Sequence, residues 1–153
     1  MTGLFEVDRN TALSFVYSIV YRREENMCKT ILIVDDSPFV YEQIKGMVDG
    51  DEYRVIGSAK SGEEGIVMYQ ELKPDVVILD IIMPGIDGLE TAEILLKDNP
   101  NVQIIMLSSL FDANLLNEIK RLGLKYLIPK PIEADVLLIT LERLDKSADK
   151  EEE

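Results

Sequence analysis

The sequence predicts an α/β fold, a doubly wound parallel sheet with helices on both faces, built into one domain. Three observations point there. From Lys29 onward, short β-rich runs alternate with segments of helical length five times over, and a repeated strand–helix–strand pattern packs as a parallel sheet covered on both sides. The first, third and fourth runs are almost purely apolar, as strands buried on both faces must be. The chain has 153 residues, within the size range of a single domain with a real core, and two full domains are not expected.

Residues 1–26 stand outside the repeat and are read as an N-terminal extension. Within them Leu13, Phe15, Tyr17, Ile19 and Tyr21 alternate with smaller residues, a strand pattern that leaves a helix open. Met27 sits two residues before the first strand, behind Arg22, Arg23, Glu24, Glu25 and Asn26. Such residues can be encoded by purine-rich codons of the kind found in a bacterial ribosome-binding site. Two readings of the extension therefore stand: a disordered leader, or an artefact of the gene model with translation starting at Met27. Residues 27–146 form the predicted domain.

Its strands are predicted at Thr30–Val34, Tyr53–Ala59, Asp75–Leu79, Val102–Leu107 and Leu124–Ile128. Ser37 followed by Pro38 is an N-cap with proline at the first helical position. Ser61 with Glu64 forms a capping box, Asp87 with Glu90 resembles one, and Asp112 caps the fourth helix. Val40, Ile44, Met47 and Val48 recur at helical spacing, as do Leu115, Ile119 and Leu122, then Leu137, Leu141 and Leu144; these stripes are read as core. Residues 147–153 are small and charged and are read as a solvated, frayed acidic tail.

The formal net charge of −13 and pI of about 4.4 would repel nucleic-acid backbones and anionic membranes, and no local basic patch offsets this. Neither partner is expected. The apolar stretches Ala12–Tyr21 and Val76–Met83 fall short of the roughly 20 residues needed to cross a bilayer. The first lacks the positive flank and cleavage pattern of a signal peptide. A single cysteine, Cys28, forms no intramolecular disulfide and fits a reducing compartment. The expected location is the cytoplasm. With no histidine in the chain, histidine acid–base chemistry, histidine metal ligation and a phosphohistidine intermediate are excluded. Any phosphoryl chemistry must run through a carboxylate.

Candidate functional residues gather at the carboxyl ends of the predicted strands. Asp35 and Asp36 follow the first, Asp80 closes the third, Ser108 follows the fourth and Lys130 the fifth. In open α/β sheets that edge is where ligands bind. Three carboxylates in one crevice repel each other unless a cation intervenes, and hard oxygen donors favour Mg2+ over zinc. A carboxylate can attack phosphorus, and Asp80 is best placed to do so, with Lys130 to neutralise developing charge and Ser108 to donate a hydrogen bond. Singly, each has a plainer explanation. An acidic residue after a strand caps the next helix, an aspartate suits a turn, and a lone serine or lysine says little. The conjunction, in order along successive strands, carries the reading.

The stretches ILIVDDSP, VVILDIIMPGIDGLE, VQIIMLSS and YLIPKP resemble the signature segments of response-regulator receiver domains, in particular the single-domain, chemotaxis-protein-like kind, and the likeness runs from Lys29 to Asp145. The resemblance implies a flavodoxin-like sheet in the order 2-1-3-4-5. It implies that Asp36, Asp80 and the backbone carbonyl of Ile82 ligate Mg2+, with Asp35 acting mainly through water. Asp80 would be the phosphoacceptor, Ser108 the switch hydroxyl and Lys130 the phosphate-pairing cation, followed by Pro131, often a cis peptide in the family. Pro84, Gly85 and Gly88 would shape the loop after the acceptor. Ile82 and Leu110 would govern the access of hydrolytic water.

The implied function is that of a phosphoryl-accepting switch in a two-component phosphorelay. It would not be an enzyme beyond self-catalysed phosphoryl transfer and autodephosphorylation. A sensor histidine kinase or phosphotransfer protein would be the donor, and an unidentified output protein or a phosphorylation-dependent homodimer would use the face bearing Leu138, Ile139 and Arg143. No output module follows Leu144, so output is expected to pass through a partner. Two features depart from the family. Its aromatic switch position falls on Leu127, with Tyr126 one place earlier, and Pro129 stiffens the turn before Lys130. Two alternatives remain at this point, a phosphorylation-independent receiver-like binding module and a phosphatase of haloacid-dehalogenase type. The latter needs a second aspartate where Ile82 stands. A dinucleotide site would need a glycine-rich turn where Asp35, Asp36 and Ser37 stand.

Overall fold

The computed structural model of the protein describes residues 8–14, 16 and 28–151. Five strands, β1 (Lys29–Val34), β2 (Tyr53–Ala59), β3 (Val76–Asp80), β4 (Gln103–Ser108) and β5 (Tyr126–Pro129), alternate with five helices, α1 (Pro38–Val48), α2 (Gly62–Leu72), α3 (Gly88–Asp98), α4 (Ala113–Arg121) and α5 (Ala134–Glu151). The strands form one sheet in the order β2-β1-β3-β4-β5, and every neighbouring pair is parallel. This is the doubly wound 2-1-3-4-5 arrangement expected.

Burial explains the apolar strands. Ile31 to Val34 and Val76 to Leu79 are fully buried, and each such side chain contributes roughly 1.5–3 kcal/mol through removal from water. Alternate residues face opposite layers. Ile31, Ile33, Ile78, Ile105 and Leu107 pack against Val40, Ile44 and Val48 of α1 and Leu137, Leu141 and Leu144 of α5. Leu32, Val34, Val77, Leu79 and Met106 meet Tyr69 of α2, Ala92 and Leu95 of α3 and Ile119 of α4. Helices α1 and α5 thus cover one face, and α2, α3 and α4 the other.

The local start signals act where they were read. The side chains of Ser37, Ser61, Asp87 and Asp112 each accept the backbone N–H three residues on, opening α1, α2, α3 and α4. The reciprocal half of the Ser61 box is displaced by one residue, since Glu64 accepts from the amide of Lys60 at 3.2 Å.

Among the boundaries that differ from the sequence reading, three have a local cause. β3 starts at Val76 because Asp75 turns its carboxylate to the amide and hydroxyl of Thr30, at 2.8 and 3.0 Å. β5 starts at Tyr126 because Leu124 still closes α4, its amide donating to Ile119 O at 3.0 Å across Gly123 at φ 77. α5 continues to Glu151, into residues expected to form a frayed tail. Alternating acids and lysines with alanine favour helix, and Lys146 pairs with Glu142 one turn back at 3.2 Å.

Residues 9–14 and 16 are helical, with Asp8 accepting the amide of Thr11 at 2.8 Å. An N-cap aspartate therefore overrides the alternating pattern at Leu13. The expectations for Phe15, Tyr17, Ile19, Tyr21 and a start at Met27 lie outside the described residues.

One of the two edge strands, β5, ends in proline. Lys130 N–H donates inward to Ser108 O at 2.9 Å, so by alternation the nitrogen of Pro129 faces the open edge of the sheet.

Candidate functional site

The site lies at the carboxyl edge, above the two central strands. Val34 pairs with Leu79, so the next residue on each chain, Asp35 and Asp80, stand side by side. Asp35 is held in line by its amide, which donates to Ala59 O at 3.0 Å. Both carboxylates are buried, whereas Asp36 is exposed. Carboxylate oxygens of Asp35, Asp36 and Asp80 all fall within 4.8 Å of one another.

Lys130 enters from the end of β5. Its ammonium donates to Asp35 Oδ2 at 2.9 Å and lies 3.2 Å from Asp80 Oδ2. One cation therefore offsets three carboxylates. Burial and the Asp35 charge push the Asp80 carboxyl above its ordinary pKa, against the opposing pull of Lys130 and of the Ile82 amide, which donates to it. Burial draws the Lys130 ammonium down, but its hydrogen bond to Asp35 and the charges of Asp80 and Asp35 outweigh that and raise it. The pocket holds an excess of negative charge that a cation would relieve.

The donor set fits magnesium. All donors are hard oxygens, and the exposed side at Asp36 leaves room for the waters that Mg2+ retains. Asp35 is already engaged, Oδ1 accepting the Ser37 amide at 2.8 Å and Oδ2 the Lys130 ammonium. Asp80 likewise carries the Lys130 ammonium and the Ile82 amide, so the exposed Asp36 is the least engaged of the three carboxylates.

Ser108 is buried at the end of β4, but its hydroxyl is turned into its own loop. It donates to Leu110 O at 2.7 Å and accepts the Leu110 amide at 3.0 Å. The structure therefore groups Asp35, Asp36, Asp80 and Lys130 directly and leaves the Ser108 hydroxyl engaged beside them. The Lys130–Pro131 peptide is cis. Ile82, where a phosphatase would carry its second acid, is an exposed apolar residue. On α5, Leu137, Leu141 and Leu144 are buried while Leu138, Ile139 and Arg143 are exposed.

The loop after Asp80 is tightly fixed. The Gly88 amide donates to Ile81 O at 2.7 Å, and a Cβ on Gly88 would lie 2.1 Å from Asp80 O. One contact to this loop escaped the sequence reading: Glu63, from the start of α2, accepts the Ile86 amide at 3.2 Å. The two residues are 23 positions apart, and only the tertiary fold brings them together.

Residues 31–142 match the family described as the response regulator receiver domain. The chemotaxis protein CheY of Listeria monocytogenes is 40% identical over 117 residues, spanning 76% of this chain and 98% of that protein. The CheY protein of Thermotoga maritima is 34% identical over 120 residues, spanning 78% of this chain and all of that one. Among solved structures, the CheX–CheY–BeF3–Mg2+ complex from Borrelia burgdorferi superposes with a TM-score of 0.72 at 30% identity, covering 76% of this chain and 88% of that one.

Proposed function

Because this chain belongs to the response regulator receiver family, we propose that it is a phosphoryl-accepting signalling switch whose acceptor is Asp80. The observation that carries the reading is the Lys130 ammonium spanning the Asp35 and Asp80 carboxylates at 2.9 and 3.2 Å. This arrangement sets an anionic nucleophile beside a cation able to take up the charge of an incoming phosphoryl group.

An oxygen of Asp80 attacks the phosphorus of a phosphohistidine or of a small acyl phosphate. An O–P bond forms as the donor's bond to phosphorus breaks, and the leaving group departs with the electron pair. Lys130 shifts its partnership toward the new phosphoryl oxygens. Asp36 and Asp80, with the Ile82 carbonyl, would hold Mg2+, and Asp35 would reach it through water. When bound, Mg2+ supplies charge neutralisation on the transferred group. The Ser108 hydroxyl, released from Leu110 O, donates to a phosphoryl oxygen and moves its loop, biasing the protein toward its partner-binding state. Water later attacks the phosphorus, and the Asp80 O–P bond breaks to release inorganic phosphate and restore the carboxylate.

The magnesium and beryllofluoride of the Borrelia complex support the choice of metal by likeness. A sensor histidine kinase or phosphotransfer protein is the proposed donor, and the cytoplasm the proposed location. Among the described residues, no helix is long and apolar enough to cross a membrane.

Incubation with acetyl phosphate and Mg2+ should add one phosphoryl mass to the protein. Asp80→Ala should take up none, and chelation of the metal should suppress labelling of the parent. Stoichiometric labelling of Asp80→Ala would overturn the assignment.

A further inference from the structure

The hydrogen bond from Gly88 to Ile81 ties together the two ends of the loop that follows Asp80, yet the proposed ligating carbonyl, that of Ile82, lies before a turn with no backbone–backbone hydrogen bond of its own. The turn bends at Gly85, where φ is +83, a conformation only glycine adopts freely. A Cβ built there would stand 2.7 Å from Glu63 Oε1 and 3.0 Å from Oε2. The Glu63 carboxylate thus lies directly against the Gly85 backbone while its Oε1 accepts the next amide, that of Ile86, at 3.2 Å.

Glu63 reaches out from a fixed base. Ser61 caps α2, and at Gly62 a Cβ would meet Thr91 Oγ1 of α3 at 2.1 Å and Ile86 Cγ1 at 2.6 Å. The first turn of α2 is therefore pressed onto both the loop and the helix that follows it. Hydrogen bonds from its own amide and from Ile86 hold the Glu63 carboxyl below its ordinary pKa against the opposing effect of burial, with a lesser contribution from Ser61. It is an acceptor at neutral pH.

We infer that Glu63 is a positioning residue for the metal side of this site, a strap from α2 across Gly85 and Ile86 that fixes the loop carrying the Ile82 carbonyl. Glu63 touches neither the acceptor nor the proposed metal ligands. It acts by reducing the conformations the loop must give up when Mg2+ binds. The inference rests on the reading of Asp80 and its magnesium given above, but one of its consequences is visible without metal.

The test compares Glu63→Ala, Glu63→Gln and Glu64→Ala with the parent. Glutamine keeps an oxygen acceptor and loses the charge. Glu64→Ala removes an acid and a backbone contact from the same helix end without touching the loop. In metal-free protein, amide hydrogen exchange at Ile86 should accelerate about two- to tenfold in Glu63→Ala, the range one net hydrogen bond allows. It should stay near the parent rate in the other two variants. Calorimetric Mg2+ titration should show weaker binding by a similar factor in Glu63→Ala alone, with Glu63→Gln largely restored.

Unchanged exchange and Mg2+ affinity in Glu63→Ala would overturn the strap while leaving the acceptor reading intact. Equal losses in Glu64→Ala would overturn it in favour of a general helix-end effect. A parent protein that binds no Mg2+ would overturn the magnesium reading, and with it the proposed role of the strap, even if Ile86 exchange responds to Glu63→Ala.

Discussion

Ile82 lies two residues beyond the proposed acceptor and Leu110 two beyond Ser108, and the two present 55% and 56% of their surface to solvent. Neither side chain can hydrogen-bond a water molecule on its way to phosphorus. Once Asp80 carries a phosphoryl group its loss is expected to be slow, and Ile82→Asn should quicken it. A single hydrogen bond to the attacking water, worth about 1 kcal/mol, corresponds to roughly fivefold in rate. Mass spectrometry of the decaying phosphoprotein measures this, and equal half-lives in the two proteins would refute it. Asp35, Asp36, Asp80 and Lys130 were legible in the sequence because each follows or ends an apolar run, and a parallel sheet aligns such ends at one edge. The direction of the Ser108 hydroxyl was not legible, because it depends on the Leu110 backbone two residues on. Glu63 was illegible for a different reason. An acid in the first turn of a helix is explained by the helix itself, so nothing local marks its long-range contact.

Helix α3 meets β3 at a glycine, and the two pull in opposite directions when that glycine is replaced. Gly→Ala inside a helix ordinarily stabilises by roughly 0.5–1 kcal/mol. At Gly88 the added methyl would lie 2.1 Å from Asp80 O and 2.6 Å from Ile81 Cα, backbone atoms that cannot rotate aside. Overpacking of this kind costs about 1–3 kcal/mol, so the clash wins. Gly88→Ala should lower the urea midpoint of unfolding, and labelling of Asp80 should fall with it as the acceptor backbone shifts. A variant as stable as its parent would refute the close approach. The caps at Ser37, Ser61, Asp87 and Asp112 could be read from sequence because capping involves residues three apart. The start of β5 could not. Gly123 and Leu124 satisfy the last carbonyls of α4, and an apolar residue serving a helix terminus looks the same in sequence as the first residue of a strand.

At the scale of the whole molecule, the buried stripe Leu137, Leu141 and Leu144 fixes which way α5 faces, and it leaves Ile139 49% exposed with Leu138 and Arg143 also on the surface. The face could be read from a 3.6-residue period alone. Ile139→Asp should leave thermal stability and Asp80 labelling nearly unchanged, because no core contact is lost. It should weaken self-association or partner capture in the presence of beryllofluoride and Mg2+ by about tenfold, the scale of one apolar anchor at an interface. Sedimentation with and without beryllofluoride reads the homodimer, and a pulldown reads a heterologous partner. A marked loss of stability would show Ile139 to be core. The rim of the sheet limits what form any such association takes. A further strand adding to β5 would use its outward-facing amides and carbonyls, and Pro129 removes one of the two amides that its four residues would otherwise present. Crowded together, copies of this protein are thereby discouraged from zipping their sheets into a continuous ribbon. At that edge, encounters are left to side-chain contacts, which form and dissolve reversibly, as the proposed switch would require.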